Sequence, residues 1–365
     1  MTRYLSKLAA GLEPYVPGEQ PKDKKYIKLN TNENPYPPSA SVVRAIEAEV
    51  GQLRLYPDPD ASAVRQAAVE YYNEELGLSG TDILTEDNIF VGNGSDEVLA
   101  FVFPTFFKGK KIAFADITYS CYPVYSALFE VPYELLPLKE DFSFDLEQYC
   151  GGLKSDIQGL LLCNPNAPTG RALTLEEVER VLDANEDKLV LVDEAYVDFG
   201  AQTAVGVVNR HENLLITQTL SKSRQLAGMR IGLAIGSKPL IDGLNAVKNS
   251  FNSYTADRLA IRAAEAAFRD KAYFEETRRK IIATRERITA ELEAIGFDVL
   301  PSAANFIFAE PSGIRASELF AALREDGVLV RYFAKPRIDN RLRISIGTDA
   351  EMDSLLQAIK KILGK

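Results

Sequence analysis

Six short, mainly apolar runs recur through the middle of the chain, and they restrict its architecture more than any other feature. They span residues 89–91, 111–115, 160–163, 189–192, 214–217 and 231–235. A strand with one wet face alternates polar and apolar residues. Several of these runs do not alternate, which predicts strands buried on both faces. Between them lie stretches with helical spacing: SVVRAIEAEV (41–50), SAVRQAAVEYYNEEL (62–76) and TLEEVERVLDANE (174–186). In the last, Thr174 with Glu177 three residues on reads as a capping box. Strand and helix in alternation predict an α/β domain with a mostly parallel sheet flanked by helices.

The texture changes at both ends. Residues 13–38 are rich in Pro, Asn and Lys, a spacing that opposes helix and sheet and predicts an extended arm. Tyr15, Tyr26, Ile27 and Leu29 give that arm something to dock with. After residue 255 comes one long helical region (257–296), a strand at 305–309, a helix at 316–325, a strand at 342–346 and a last helix. This predicts a smaller α+β domain. The division expected is an N-terminal arm, 1–30, packing with the small domain; a large domain, 31–255; and the small domain, 256–365.

Composition removes several functions. Lys and Arg total 42 against 52 Asp and Glu, a formal net charge of −10, which ill suits nucleic acid or an anionic membrane. The most apolar stretch, 98–107, is broken by Pro104 and far too short to span a bilayer. Cys121, Cys150 and Cys163 have no metal-like spacing, and so sparse a set fits a reducing cytoplasm. The one histidine, His211, lies in a polar stretch that reads as a surface loop. No metal is expected, and acid–base chemistry falls to Lys, Asp, Glu, Tyr or Cys.

Four segments at predicted strand ends, where open α/β sheets bind ligands, could carry that chemistry. In FVGNGSDEVLAFVF (90–103) a glycine turn opens a helix, so Gly94, Ser95 and Asp96 could offer backbone N–H groups to a phosphate. CNPNAPTG (163–170) is a turn of fixed shape. LVDEAYVDF (191–199) delivers Asp193 and Tyr196. TLSKSRQLAGMRIG (219–232) places Lys222 among small polar residues with Arg230 eight residues on. A desolvated lysine is a Schiff-base candidate, although a surface lysine is the commoner case.

Together, in this order, the four segments resemble the fold-type-I pyridoxal-phosphate aminotransferases, with a seven-stranded type of sheet. Within that family the likeness is to the histidinol-phosphate aminotransferases, on LNTNENPYPPS, LYPDPDASAVRQA, TYSCYPVYS, VLVR and LRISIG. The resemblance implies Lys222 as the lysine that binds pyridoxal 5'-phosphate and shuttles a proton. It implies Asp193 on the ring nitrogen, Tyr196 on the ring 3-oxygen and Tyr119 stacked on the ring. Gly94, Ser95, Asp96, Ser221 and Arg230 would hold the cofactor phosphate, with Tyr56 reaching it from the second subunit of a homodimer. Arg343 would grip the carboxylate of glutamate or 2-oxoglutarate, and Arg331 with Tyr15 the phosphate of histidinol phosphate. Aromatic amino-acid transamination and, less closely, phosphothreonine decarboxylation remain alternatives on this scaffold; a non-catalytic binding protein is the reading from another class.

Two departures stand out. The family has Asn directly before Pro-Thr-Gly, bonded to the ring 3-oxygen; here that residue is Ala167. Either Asn166 takes the role or Tyr196 acts alone. Gln225 stands where a small residue is usual.

Overall fold

The computed structural model describes residues 3–364. The arm enters a sheet with β1 (Ile27–Lys28), which pairs in parallel with residues 328–329. The sequence reading denied the arm any sheet. Its prolines stop at Pro21 and resume at Pro35, so the backbone N–H groups between are free to pair. Ile27 N–H and Leu29 N–H donate to the carbonyls of Gly327 and Leu329.

The large sheet holds β2 (Ile89–Gly92), β3 (Lys111–Ala115), β4 (Tyr133–Leu136), β5 (Ile157–Cys163), β6 (Leu189–Asp193), β7 (Leu214–Thr219) and β8 (Gly232–Gly236). Its order is β2-β8-β7-β6-β5-β3-β4. β8 alone runs against the direction of the other six strands. The six expected strands are all present; β4 is the addition. It is an edge strand between Pro132 and Pro137 whose Tyr133 and Leu135 are exposed, so no buried apolar run announced it. Apolar side chains on the two faces of this sheet divide between two cores: Leu160, Val190 and Ile216 enter one, Leu161, Leu191 and Leu215 the other.

The smaller sheet, order β12-β13-β10-β9, comprises β9 (Asp298–Val299), β10 (Phe306–Glu310), β12 (Arg331–Tyr332) and β13 (Leu342–Ser345), all antiparallel; β11 (Val328–Leu329) holds the arm. The helical region expected over 257–296 is divided into two helices, Arg258–Arg269 and Lys271–Ala294. Asp270 leaves helical geometry (ψ 64°) and its carboxylate caps the second helix at Tyr273 N–H. The first of the two packs against the helices Ala40–Glu49 and Ser62–Glu75. The Thr174–Glu177 capping box is formed.

One buried cation ties the two sheets together. Arg285, on the long helix, donates to the carbonyls of Phe199, beyond β6, and Ala304, before β10, at 2.7 and 2.9 Å. No carboxylate pairs with it among the described residues, and burial lowers its pKa. Arg285→Met fills the space but leaves both carbonyls without a donor. It should cost about 2–3 kcal/mol, read as a lower urea midpoint at unchanged slope.

Candidate active site

The parallel strands end at one edge, and the candidate residues meet there. Beyond β2, Gly94 takes φ +83°, and the helix Ser95–Val102 begins with no side-chain cap. A Cβ on Gly94 would lie 2.5 Å from Arg230 Nη2, and one on Gly232 would collide with Ser95 N. Only glycine lets the turn, the strand and the guanidinium close so tightly. Arg230 Nη1 donates to Ser221 Oγ at 3.4 Å and Nη2 to Asp96 Oδ2 at 3.2 Å. An uncapped helix start, a hydroxyl and a guanidinium on one point make a cradle for an oxyanion such as phosphate. The Asp96 carboxylate already accepts from Arg230 and from Tyr119 Oη (2.9 Å), and so can offer an anion only its backbone N–H.

Next to the cradle is a cavity of about 270 Å³. Asp193, at the end of β6, is 3% exposed on its edge. Its carboxylate accepts from Tyr122 Oη (2.7 Å) and Thr217 Oγ1 (3.2 Å), and no cation pairs with it among the described residues. Burial raises its pKa to about 6 against those two hydrogen bonds. A buried carboxylate so placed is complementary to a protonated ring nitrogen. Across the cavity, Lys222 Nζ has one hydrogen-bond partner among the described residues, the carbonyl of Thr31 at 3.1 Å. Burial first, and Arg343 second, lower its pKa to about 8. Such an amine is partly neutral near pH 8 and so nucleophilic. Tyr119 and Ala195 also line the space, which suits a flat ring. The Tyr196 phenol, its pKa pushed up to about 12 by burial, lies edge-on to Phe306.

Two arginines face the same cavity from the smaller sheet. Arg331 and Arg343 are direct partners across β12 and β13. Like charges so placed repel, yet neither has a carboxylate partner among the described residues. Arg331 donates to Val16 O and Arg343 to Asn30 O, while Arg343 Nε is buried without an acceptor. Tyr15 lines the cavity beside them, its ring 6.4 Å from that of Tyr119. Two guanidinium groups on one cavity wall are complementary to an anion.

Two expected residues are not brought to the cavity. Asn166 is fully buried, and its Nδ2 is committed to Ile117 O and Thr169 Oγ1. Of the two alternatives left by Ala167, the geometry favours Tyr196 over Asn166. Tyr56 is exposed within the chain and stacks on Tyr254 at 4.7 Å. Gln225 has φ +57° and bonds Thr277 Oγ1 on the long helix, which gives its larger side chain a place. His211 precedes β7, at the opposite end of the sheet, near Glu179 and Asp183. Sequence reasoning missed Tyr122, Thr217, Asn32 and Glu33. Tyr122 lay inside the quoted TYSCYPVYS, where helical spacing from Tyr119 was the available signal. A larger groove, about 590 Å³ between Lys139, Arg171, Arg180 and Ser302, contains none of these residues.

The family model for aminotransferase class I and II matches residues 24–359. The histidinol-phosphate aminotransferase of Clostridium acetobutylicum is 54% identical over 365 residues, covering all of both chains. Histidinol-phosphate aminotransferase 1 of Bordetella parapertussis is 54% identical over 364 residues, 99% of each. Among solved structures, histidinol-phosphate aminotransferase from Sinorhizobium meliloti in complex with pyridoxal-5'-phosphate superposes with a TM-score of 0.87 at 27% identity, covering 100% of this chain and 98% of that one.

The lowered Lys222 pKa can be measured directly. Adduct formation between the cofactor-free chain and an added aldehyde should rise with pH through a midpoint of about 8, not 10.5. Arg343→Gln should move that midpoint upward, because removing a cationic neighbour favours the ammonium.

Proposed function

The chain belongs to the aminotransferase class I and II family, and from that premise we propose that it transfers the amino group of L-histidinol phosphate to 2-oxoglutarate. The products are imidazole-acetol phosphate and glutamate, a step of histidine biosynthesis. One observation carries the substrate reading: Arg331 and Arg343 stand opposite each other, unpaired, at a cavity that also holds a reactive lysine. A substrate set that alternates a phosphate with a dicarboxylate supplies the missing negative charge in both half-reactions.

The residues present fit pyridoxal phosphate. Ser95 and Asp96 N–H, Ser221 and Arg230 would hold its phosphate, Asp193 its ring nitrogen, Tyr196 its 3-oxygen, and Tyr119 one ring face. When bound, the cofactor supplies the electron sink that makes the substrate α-carbon acidic. Asp193 would hold the ring nitrogen in its protonated form, because the attraction between a carboxylate and a cation is weakly screened in a buried site. Lys222 Nζ, once free, takes the proton from the α-carbon of the bound amine. A pKa lowered to about 8 suits this, since a general base works best near ambient pH. Arg343 would grip the carboxylate of glutamate or 2-oxoglutarate, and Arg331 with Tyr15 the phosphate of histidinol phosphate. Tyr15 and Gly18 of the arm line this end of the cavity.

We further propose a homodimer that completes the site. Leu53, Leu55, Tyr56 and Phe251 are exposed large apolar side chains, and Tyr56 stacks on Tyr254. Burial of this surface against a second copy would bring Tyr56 to the partner's phosphate cradle. Among the described residues no helix is long and apolar enough to cross a membrane, and all three cysteines are free. Both facts agree with a cytoplasmic location.

The direct test is the spectrum of the cofactor-loaded protein on addition of histidinol phosphate without a keto acid. The visible band should give way to a near-ultraviolet one, and 2-oxoglutarate should restore it. A visible band that persists with histidinol phosphate yet bleaches with phenylalanine would move the substrate to the aromatic class. Arg331→Ala should lower kcat/KM for histidinol phosphate about 10–100-fold, the loss of one charge-assisted contact, and glutamate turnover less. For the dimer, sedimentation should give twice the chain mass, and Tyr56→Phe should weaken cofactor retention at unchanged mass.

A further inference from the structure

Tyr196 does not enter the cavity with a free choice of hydrogen bonds. Its Oη accepts from Asn32 Nδ2 at 3.0 Å. Asn32 is 1% exposed and sits at φ +54°, a left-handed conformation that Asn tolerates better than most residues. It is clamped on three sides. Asn32 N–H donates to Ser345 Oγ at 2.8 Å, Ser345 Oγ donates to Asn32 Oδ1 at 2.9 Å, and Asn305 Nδ2 donates to Asn32 O at 2.9 Å. Ser345 fixes the sense of this network. Its oxygen accepts the backbone N–H and its single proton goes to Oδ1, which leaves Nδ2 for Tyr196. Ser345 lies two residues after Arg343 on β13, so both face the same way.

A phenol has one proton to give. With Asn32 donating to Oη, that proton must be directed elsewhere, and the cavity is what Tyr196 lines. We propose that Asn32 is a positioning residue: it orients the Tyr196 hydroxyl so that its proton is presented to the cofactor 3-oxygen, at the place where Ala167 offers no side-chain donor. The inference rests on the cofactor reading above. It gives Asn32 no contact with substrate; the residue acts through Tyr196. Through Ser345 it also couples that hydroxyl to the strand that carries the substrate-binding Arg343.

A donor to the ring 3-oxygen stabilises negative charge there and so weakens the hold of that oxygen on the neighbouring proton of the lysine-bound cofactor. Loss of the donor raises the pH at which the visible band titrates. The experiment is a spectrophotometric pH titration of the cofactor-loaded protein, unaltered and as Tyr196→Phe, Asn32→Ala, Ser345→Ala and the double variant Asn32→Ala/Tyr196→Phe. Tyr196→Phe should raise the midpoint. Asn32→Ala should raise it in the same sense by a smaller amount, about half a pH unit or more, and should add nothing in the Tyr196→Phe background. Ser345→Ala, which leaves every backbone angle undemanding, should do the same to a lesser extent and serves if Asn32→Ala does not fold. A midpoint unmoved by Ser345→Ala and Asn32→Ala while Tyr196→Phe moves it would overturn the proposal, as would additive shifts in the double variant. A Tyr196→Phe midpoint equal to that of the unaltered protein would overturn the role of Tyr196 itself. Absence of any visible band in the unaltered protein would overturn the cofactor reading, and this inference with it.

Discussion

Charge that is buried or half-buried, with no ionic partner among the described residues, is the constraint around which this molecule is arranged. Among the described residues, the Asp193 carboxylate accepts from Tyr122 and Thr217 and pairs with no cation, Lys222 Nζ has one carbonyl, and Arg343 faces Arg331 across a strand pair. Each costs folding free energy, because an ion taken out of water loses its hydration whether or not a partner replaces it. The rest of the protein keeps these groups from neutralising one another. Asp193 and Lys222 approach from different strand ends, and the two arginines arrive on another sheet. The charges are thus complementary to a ligand with a cationic ring, an electrophilic carbon and anionic ends.

The arm holds these parts in register. Leu29 O accepts from Ser345 N–H, and Asn30 O from Arg343. Thr31 O receives the Lys222 ammonium, Asn32 reaches Tyr196, and Asn34 Nδ2 donates to the carbonyl of Lys222 at 2.8 Å. Five of the six residues 29–34 therefore bond to the small sheet, to Tyr196 beyond the large sheet or to Lys222. Glu33, in the same stretch, is ion-paired with Lys28 at 2.7 Å and lines the cavity. Short polar side chains serve here because each satisfies a backbone or side-chain group that the meeting of two sheets would otherwise leave unpaired.

How much of this was legible depends on what each feature rests on. Six strands of the large sheet were readable because burial on both faces leaves an apolar run. β4 was not, because an edge strand with exposed Tyr133 and Leu135 has no such run. Lys222, Asp193 and Arg230 were readable as motif residues at strand ends, and the structure brings them to one cavity. Asn166 does not line the cavity, since its Nδ2 is committed to Thr169 in its own turn and to the carbonyl of Ile117. The break at Asp270 was hidden because Asp is an ordinary residue on a charged helical surface; its capping role appears only with the geometry. Ser345 and Asn32 are 313 residues apart, and no local pattern can announce such a pair.

By itself, the sequence determined the class of fold and the kinds of group available for chemistry. It contains one histidine and no metal-like cysteine spacing, and it places a lysine, a carboxylate and glycine turns at successive strand ends. Those features follow from periodicity and residue type, which are local. The tertiary structure decided which groups share a cavity, which remain uncompensated and which hydroxyl points where. Burial and hydrogen-bond direction depend on all neighbours at once, and most neighbours of Lys222, Tyr196 and Arg343 are far away in the chain.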